Sequence, residues 1–271
     1  MAAEPIPYQV TAGICPVRAE PRDDAMQETQ VLPGEVFLVE REEDGWGYGR
    51  TGLDDYPGWV DMAALSAPAL IPTHQVKALR TYVFSEPDLK SAPVCLASLN
   101  AKIVGGKRHG KFIEAQRMGW VFAGHLRAVG DPPEPDWVAV AERFIGAPYQ
   151  WGGKESLGLD CSALIQTALQ AADIFCPRDS GPQEKWAQRT WETVISGDGL
   201  RVAETEFPVL ERGDLVFWPG HVGVMTDGET FLHSNGFHMA TVAEPFARAA
   251  KRIEHHSAPL TGIYRRPASS D

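Results

Sequence analysis

At 271 residues the chain is long enough for two or three folding units with ordinary cores, and its 44% apolar content is that of a globular protein. With 25 basic against 36 acidic residues the formal net charge is −11, which makes nucleic acid a poor partner. Four scattered cysteines (Cys15, Cys95, Cys161, Cys176) with no CxxC pair exclude a disulfide framework and a zinc knuckle, and fit a reducing compartment.

The opening "MAAEPIPYQVTAGIC" has neither a basic region nor a long apolar run, so it does not read as a secretory leader. No window approaches the ~18 apolar residues of a membrane span. A cytoplasmic protein with no membrane partner is the expectation. The first half then carries a weak internal repeat: "GWVDMAAL" from Gly58 recurs as "GWVFAGHL" from Gly119, each preceded by a Glu-Pro pair. Between these anchors lie β-rich runs such as "EVFLVERE" and "KFIEAQ", broken by glycine turns like "EEDGWG". Two small all-β barrels follow from this pattern, residues 1–68 and 69–129. The first copy is about five residues longer, most simply through "GLDDY" before Pro57, and extra loop length is a common place for function.

"VGDPPEPDW" marks a proline-rich linker over 130–135, and a third unit covers 136–271. Its opening has helical spacing at Val138, Ala141, Phe144 and Ile145 and stops at Gly146 and Pro148. From Asp160, a plausible N-cap, apolar positions 161, 164, 165, 168, 169 and 172 predict an amphipathic helix with Cys161 in its first turn. "GDLVFW", "HVGVMT" and "TFLHSN" read as consecutive antiparallel strands. His255-His256 and the terminal "RRPASSD" read as solvated tail.

Taken alone, Cys161 is either a small buried hydrophobe or a nucleophile whose thiolate is stabilised by the helix start and a nearby imidazolium. Its company favours the second. His221 and His233 lie on neighbouring predicted strands and can form an ordered pair of base and orienter. Directly opposite placement of the two needs a turn centred on residue 227, which predicts a three-residue loop Thr226-Asp227-Gly228 with Gly228 left-handed, or an equivalent bulge. A tight two-residue Asp227-Gly228 turn would put the histidines on opposite faces. Cys176 fits no common zinc spacing with these residues and reads as a buried structural thiol; no metal or organic cofactor is called for.

"PYQWGG", "DCSALIQ", "RGDLVFW", "HVGVM" and "FLHSNG", in this order and spacing, resemble the NlpC/P60 cysteine peptidases over roughly Asp136 to Arg266. The resemblance implies an α+β, papain-like catalytic domain, with Cys161 as nucleophile, His221 as base and His233 as the orienting residue. Ala163 stands where many members have glycine. The two β-repeats resemble bacterial SH3 domains, which accompany this catalytic domain in a subgroup that cleaves small murein peptides. There the first SH3-like domain restricts the site to substrates with a free N-terminal L-alanine. By that similarity Tyr56 in "LDDYPGWV", Asp179 and Ser180 in "PRDSGPQ", and more weakly Glu35 in "VLPGE" contact the substrate ammonium. Asp160 and Ser162 beside the cysteine, with Tyr149 and Trp151, complete the substrate-binding candidates.

The implied function is an endopeptidase that hydrolyses the bond between the γ-carboxyl of D-glutamate and a diamino acid (meso-diaminopimelate or L-lysine). Its partner is the small murein peptide, and a monomer is expected. Two alternatives stay open: a secreted hydrolase of intact peptidoglycan with SH3-like wall anchors, and a non-catalytic peptide-binding module.

Overall fold

The computed structural model describes residues 4–201 and 207–267. These form two units: Met1–Pro132 together with Trp151–Ser156, and Pro133–Gln150 together with Leu157–Asp271.

In the first unit, β-branched and aromatic runs alternate buried and exposed positions and close into two small strand-rich bodies. One is a seven-stranded antiparallel sheet between Ile6 and Ser66, packed around Val10, Val17, Val31, Phe37, Val39 and Val60. The other, between His74 and Ala128, has a five-stranded and a three-stranded sheet around Val76, Val83, Ile103, Ala115 and Val121. The repeat in the sequence is a structural repeat. Strands Pro57–Asp61 and Gly119–Phe122 each run into a single 3-10 turn, Met62–Ala64 and Ala123–His125. The glycine that opens each copy is required by close approach: a Cβ on Gly58 would lie 2.4 Å from Val17 Cγ1, and one on Gly119, at φ +138°, would lie 2.3 Å from the Phe84 carbonyl oxygen.

Leu32 of the first body sits in the core of the second, so the two are fused rather than strung on a linker. Trp151–Ser156, which the sequence pattern assigns to the third segment, belongs to this unit as well. Gln27 donates to the Trp151 carbonyl at 3.1 Å, the Lys154 N–H donates to Gln30 at 2.7 Å, and the Ser156 N–H donates to Ser98 Oγ at 3.1 Å.

The second unit is a six-stranded antiparallel sheet flanked by helices. Its strand order is Glu192–Leu200, Leu260–Arg265, Leu215–Trp218, His221–Met225, Thr230–Asn235, Ala240–Pro245. Helix α1 (Trp137–Glu142) is capped by Asp136, whose side chain accepts from the Val138 and Ala139 N–H groups. Helix α2 (Cys161–Ala171) is buried at every position except Gln170. The amphipathic pattern predicted for it is therefore only part of the story: α1, α3 (Ser180–Thr190) and the central strands all pack on it, so even Ser162, Gln166 and Thr167 are enclosed. Helix α4 (Phe246–His256) inserts Phe246, Ala249 and Ala250 against Val216, Trp218, Met225 and Phe231 of the sheet.

Two readings of the C-terminal region need correction. His255 and His256 are the last turn of α4, not tail. Arg265 ends the Leu260–Arg265 strand, where its guanidinium donates to the fully buried Asp214 at 2.7 and 2.8 Å. A buried carboxylate without such a partner would be costly, which is why this arginine is held. Residues 268–271, the end of "RRPASSD", lie outside the described residues.

Candidate active site

Asp160 ends the extended segment before α2 and caps it, its Oδ1 accepting the Ala163 N–H at 2.8 Å. Cys161 is thereby the first helical residue, where backbone N–H groups have no intrahelical acceptor. The side chain is buried, with 7% exposure. Backbone hydrogen bonds from Val222 and Ser162 reach its sulfur, which puts the thiol against the strand that begins at His221.

Burial, followed by the adjacent Asp160 carboxylate, pushes the Cys161 thiol up to about 12, and the Val222 and Ser162 N–H groups and Arg178 only partly offset this. Burial, then the neighbouring His233 and Arg252, pulls His221 down to about 3. Both shifts run toward the uncharged forms, so burial opposes the thiolate–imidazolium pair that the helix-end field favours.

His221 Nε2 lies 2.8 Å from His233 Nδ1. The register that achieves this differs from the one predicted. Val224 pairs with Leu232 and Met225 with Phe231, so the loop is Asp227-Gly228-Glu229, one residue further along, closed by the Thr226 N–H to the Thr230 carbonyl at 2.9 Å. Gly228 is not left-handed. Asp227 Oδ1 shapes the turn instead, accepting the Glu229 and Thr230 N–H groups at 2.8 Å each. A three-residue loop keeps the two histidines on one face, but as diagonal neighbours rather than directly opposite, a separation that two imidazoles can bridge. Trp218 and Phe231 back the pair, with ring centroids 5.9 Å from His221 and 4.7 Å from His233 respectively.

Around Cys161 the structure assembles a buried polar cluster whose centre the sequence reading missed. Arg178, 3% exposed, donates to Asp160 Oδ1 at 2.9 Å and Oδ2 at 2.7 Å, and to Ser162 Oγ at 2.9 Å. Ser162 in turn donates to Asp160 at 3.1 Å. Gln183 of α3 donates to the Ser162 carbonyl at 2.9 Å and ties α3 to the nucleophile's helix. The signal for Arg178 was its place directly before Asp179 in "PRDSGPQ". Asp179 and Ser180, half-buried, start α3, and the Asp179 side chain makes no capping bond to that helix. Tyr149 is half-buried, and burial with the nearby Cys161 and Asp160 pushes its phenol up to about 12, so it belongs to the same neighbourhood.

The other candidates lie in the first unit. Tyr56 is half-buried in the longer loop, its N–H donating to Thr51 Oγ1 at 2.9 Å. Trp151 is 63% exposed. Glu35 is a correction. Its carboxylate is buried, accepts the Leu32 N–H at 2.9 Å and pairs with Lys154 Nζ at 3.1 and 3.2 Å. A carboxylate already neutralised in this way is a clasp for the Trp151–Ser156 segment, not an open acceptor for an ammonium.

A cysteine at the head of a buried helix, facing a strand that delivers a histidine ordered by a second histidine, defines a cysteine peptidase of papain-like fold. Residues 146–253 match the NlpC/P60 family and residues 17–65 match the bacterial dipeptidyl-peptidase SH3 domain. The chain thus carries an NlpC/P60 cysteine-peptidase domain together with a bacterial SH3 domain. A γ-D-glutamyl-L-lysine dipeptidyl-peptidase of Bacillus subtilis (strain 168) is 27% identical over 251 residues, which are 85% of this chain and 77% of that protein. A dipeptidyl-peptidase 6 of Lysinibacillus sphaericus is 31% identical over 98 residues, 36% of this chain and 31% of that one. The crystal structure of an NlpC/P60 family protein from Bacillus cereus ATCC 10987 superposes with a TM-score of 0.73 at 19% identity, covering 96% of this chain and 99% of that one, and shares the fold.

Proposed function

We propose that this peptidase hydrolyses the bond between the γ-carboxyl of D-glutamate and a diamino acid in small murein peptides that carry a free N-terminal L-alanine. The observation that carries the reading is the cluster beside the nucleophile. Asp160 and Ser162 are fixed by Arg178, and Asp179 and Ser180 follow at the start of α3. A substrate ammonium leaving water needs a carboxylate and further acceptors. Asp160 is already neutralised by Arg178, and the resemblance of "PRDSGPQ" to the family's motif assigns that task to Asp179 with Ser180. The relative named as a γ-D-glutamyl-L-lysine dipeptidyl-peptidase supports the γ-glutamyl bond as target.

In the proposed reaction Cys161 Sγ attacks the γ-glutamyl carbonyl carbon while its proton passes to His221. The oxyanion is met by the Cys161 N–H at the helix start. The His221 imidazolium then protonates the leaving amine of the diamino acid, and a thioester remains. Water, giving its proton to His221, hydrolyses the thioester and restores the thiol. His233 holds the His221 ring throughout. The four free cysteines support a reducing, cytoplasmic setting for this chemistry.

The test is mass-spectrometric cleavage of L-Ala-γ-D-Glu-meso-diaminopimelate, its L-lysine counterpart and their N-acetylated twins by wild type and Cys161→Ala. Cleavage of free-amine peptides alone, lost in the variant, is expected. Equal cleavage of acetylated peptides would remove the ammonium requirement and the role of Asp179.

A further inference from the structure

The His221–His233 pair does not end at His233. His233 is fully buried and its Nε2 has two polar neighbours: Glu244 Oε1 at 2.9 Å and the Asn235 side-chain nitrogen at 3.0 Å. Glu244 is clamped by Arg252, Nη1 to Oε2 at 2.7 Å and Nη2 to Oε1 at 2.6 Å. The Asn235 amide cannot turn round freely, since its oxygen accepts the His238 N–H at 2.9 Å. His238 Nδ1 faces the same asparagine oxygen at 3.1 Å and stands 3.9 Å from Glu244.

These two neighbours ask for opposite tautomers. His221 uses Nε2 toward His233, so only its Nδ1 is left to take the thiol proton, and that nitrogen must be bare. Its proton then sits on Nε2 and is donated to His233 Nδ1, so His233 must carry its own proton on Nε2. Glu244 accepts that proton. Asn235, presenting an N–H, favours a bare Nε2, which would put the proton on His233 Nδ1, turn His221 into an Nδ1–H donor and disable it as a base. An ionised acceptor makes the stronger hydrogen bond of the two.

We propose that Glu244 is a positioning residue that selects the productive tautomer of the catalytic histidine pair, against the opposing preference of Asn235, with Arg252 holding it ionised and in place. The inference rests on the cysteine-peptidase chemistry but not on any particular substrate. Burial alone would raise the Glu244 carboxyl; the Arg252 and His233 hydrogen bonds outweigh it and hold the group well below the usual carboxylate range. As His221 becomes an imidazolium, the carboxylate at the far end of the relay steadies the charge through His233, and the transfer itself only moves the thiol proton to His221 Nδ1.

The experiment uses the full chain with 15N-labelled histidine, read by long-range nitrogen–proton correlation at neutral pH, together with the rate of Cys161 alkylation by iodoacetamide. Wild type is expected to show His233 protonated at Nε2. Glu244→Gln is nearly isosteric, but Arg252 will hold its oxygen and turn its amide N–H toward His233, so the tautomer inverts. Alkylation and peptide kcat then fall by about 10–100-fold, the size of effect that losing an outer hydrogen-bond partner of a functional histidine has elsewhere. KM is expected to stay put. Asn235→Asp added to Glu244→Gln supplies a carboxylate beside the same nitrogen and is expected to restore the tautomer and most of the rate, which a packing role would not do. A wild-type His233 protonated at Nδ1 overturns the proposal without any variant; so does a folded Glu244→Gln protein with unchanged tautomer, whether or not it has lost activity. If alkylation responds as stated but no murein peptide is cleaved, the substrate assignment has failed and the tautomer selection stands.

Discussion

Arg178→Met tests whether the cluster beside the nucleophile is one energetic unit. Arg178 makes two charge-assisted bonds to Asp160 and one to Ser162, with side-chain exposures of 2% for Arg178 and 11% for Asp160. Methionine keeps the apolar stem's volume but takes the cation away from a buried carboxylate, which costs about 3–5 kcal/mol when one partner of such a pair is removed. For a chain of this length that is a fall in Tm of roughly 10 °C. Asp160→Asn keeps a good N-cap oxygen for the Ala163 N–H, yet strands the guanidinium, so it should cost a similar amount. With both substitutions no buried charge remains, and the double variant should be about as stable as either single one or more so. Urea unfolding of the four proteins closes a double-mutant cycle, with a coupling of at least ~2 kcal/mol expected. Single effects that add to within ~0.5 kcal/mol would refute the reasoning, since uncoupled residues behave that way.

Four further outcomes follow from the same structure. Lys154→Met strands Glu35 in the first unit and should lower stability by about 3–5 kcal/mol in urea unfolding, while Lys154→Met with Glu35→Gln should recover much of the loss. Gly119→Ala places a Cβ 2.3 Å from the Phe84 carbonyl oxygen at φ +138° and should cost more than ~2 kcal/mol, seen as a lower unfolding midpoint. His221 is lowered to about 3 in the folded chain, so the unfolded chain takes up a proton first as pH falls. Its contribution is present above about pH 6.5 and drains away toward pH 3, some ~2–4 kcal/mol because the ring keeps an exposed edge; wild type should therefore lose more urea midpoint between pH 7 and pH 4 than His221→Phe. Asp179→Asn should raise KM for the free-amine peptide by tenfold or more with kcat little changed, and leave Cys161 alkylation unaltered.

Much of this protein is legible in the chain. Period-two runs between glycine turns announce the strands of the first unit, and the repeated Gly-Trp-Val marks two copies of one strand-and-turn unit. Asp160 as cap, Cys161 as the first helical residue, and a three-residue loop that keeps His221 and His233 on one face all follow from neighbours within a few positions. The loop's place was misjudged by one residue because Asp227, through its side chain, and not Gly228 shapes the turn.

What tertiary structure alone decided is where charge is neutralised. Glu35 looks like an available carboxylate until Lys154, 119 positions later, closes on it. Asp160 looks like a cap until Arg178 takes both oxygens, and His233 looks like the end of a relay until Glu244 and Arg252 extend it. The field on the cysteine belongs to the same class: the helix start favours a thiolate by local rules, while desolvation by the packed helices and strands pushes the thiol up. Periodicity and capping are written in short windows of sequence because they depend on local backbone geometry. The partner of a buried ion depends on which distant segments exclude water around it, and that is settled only when the chain has folded.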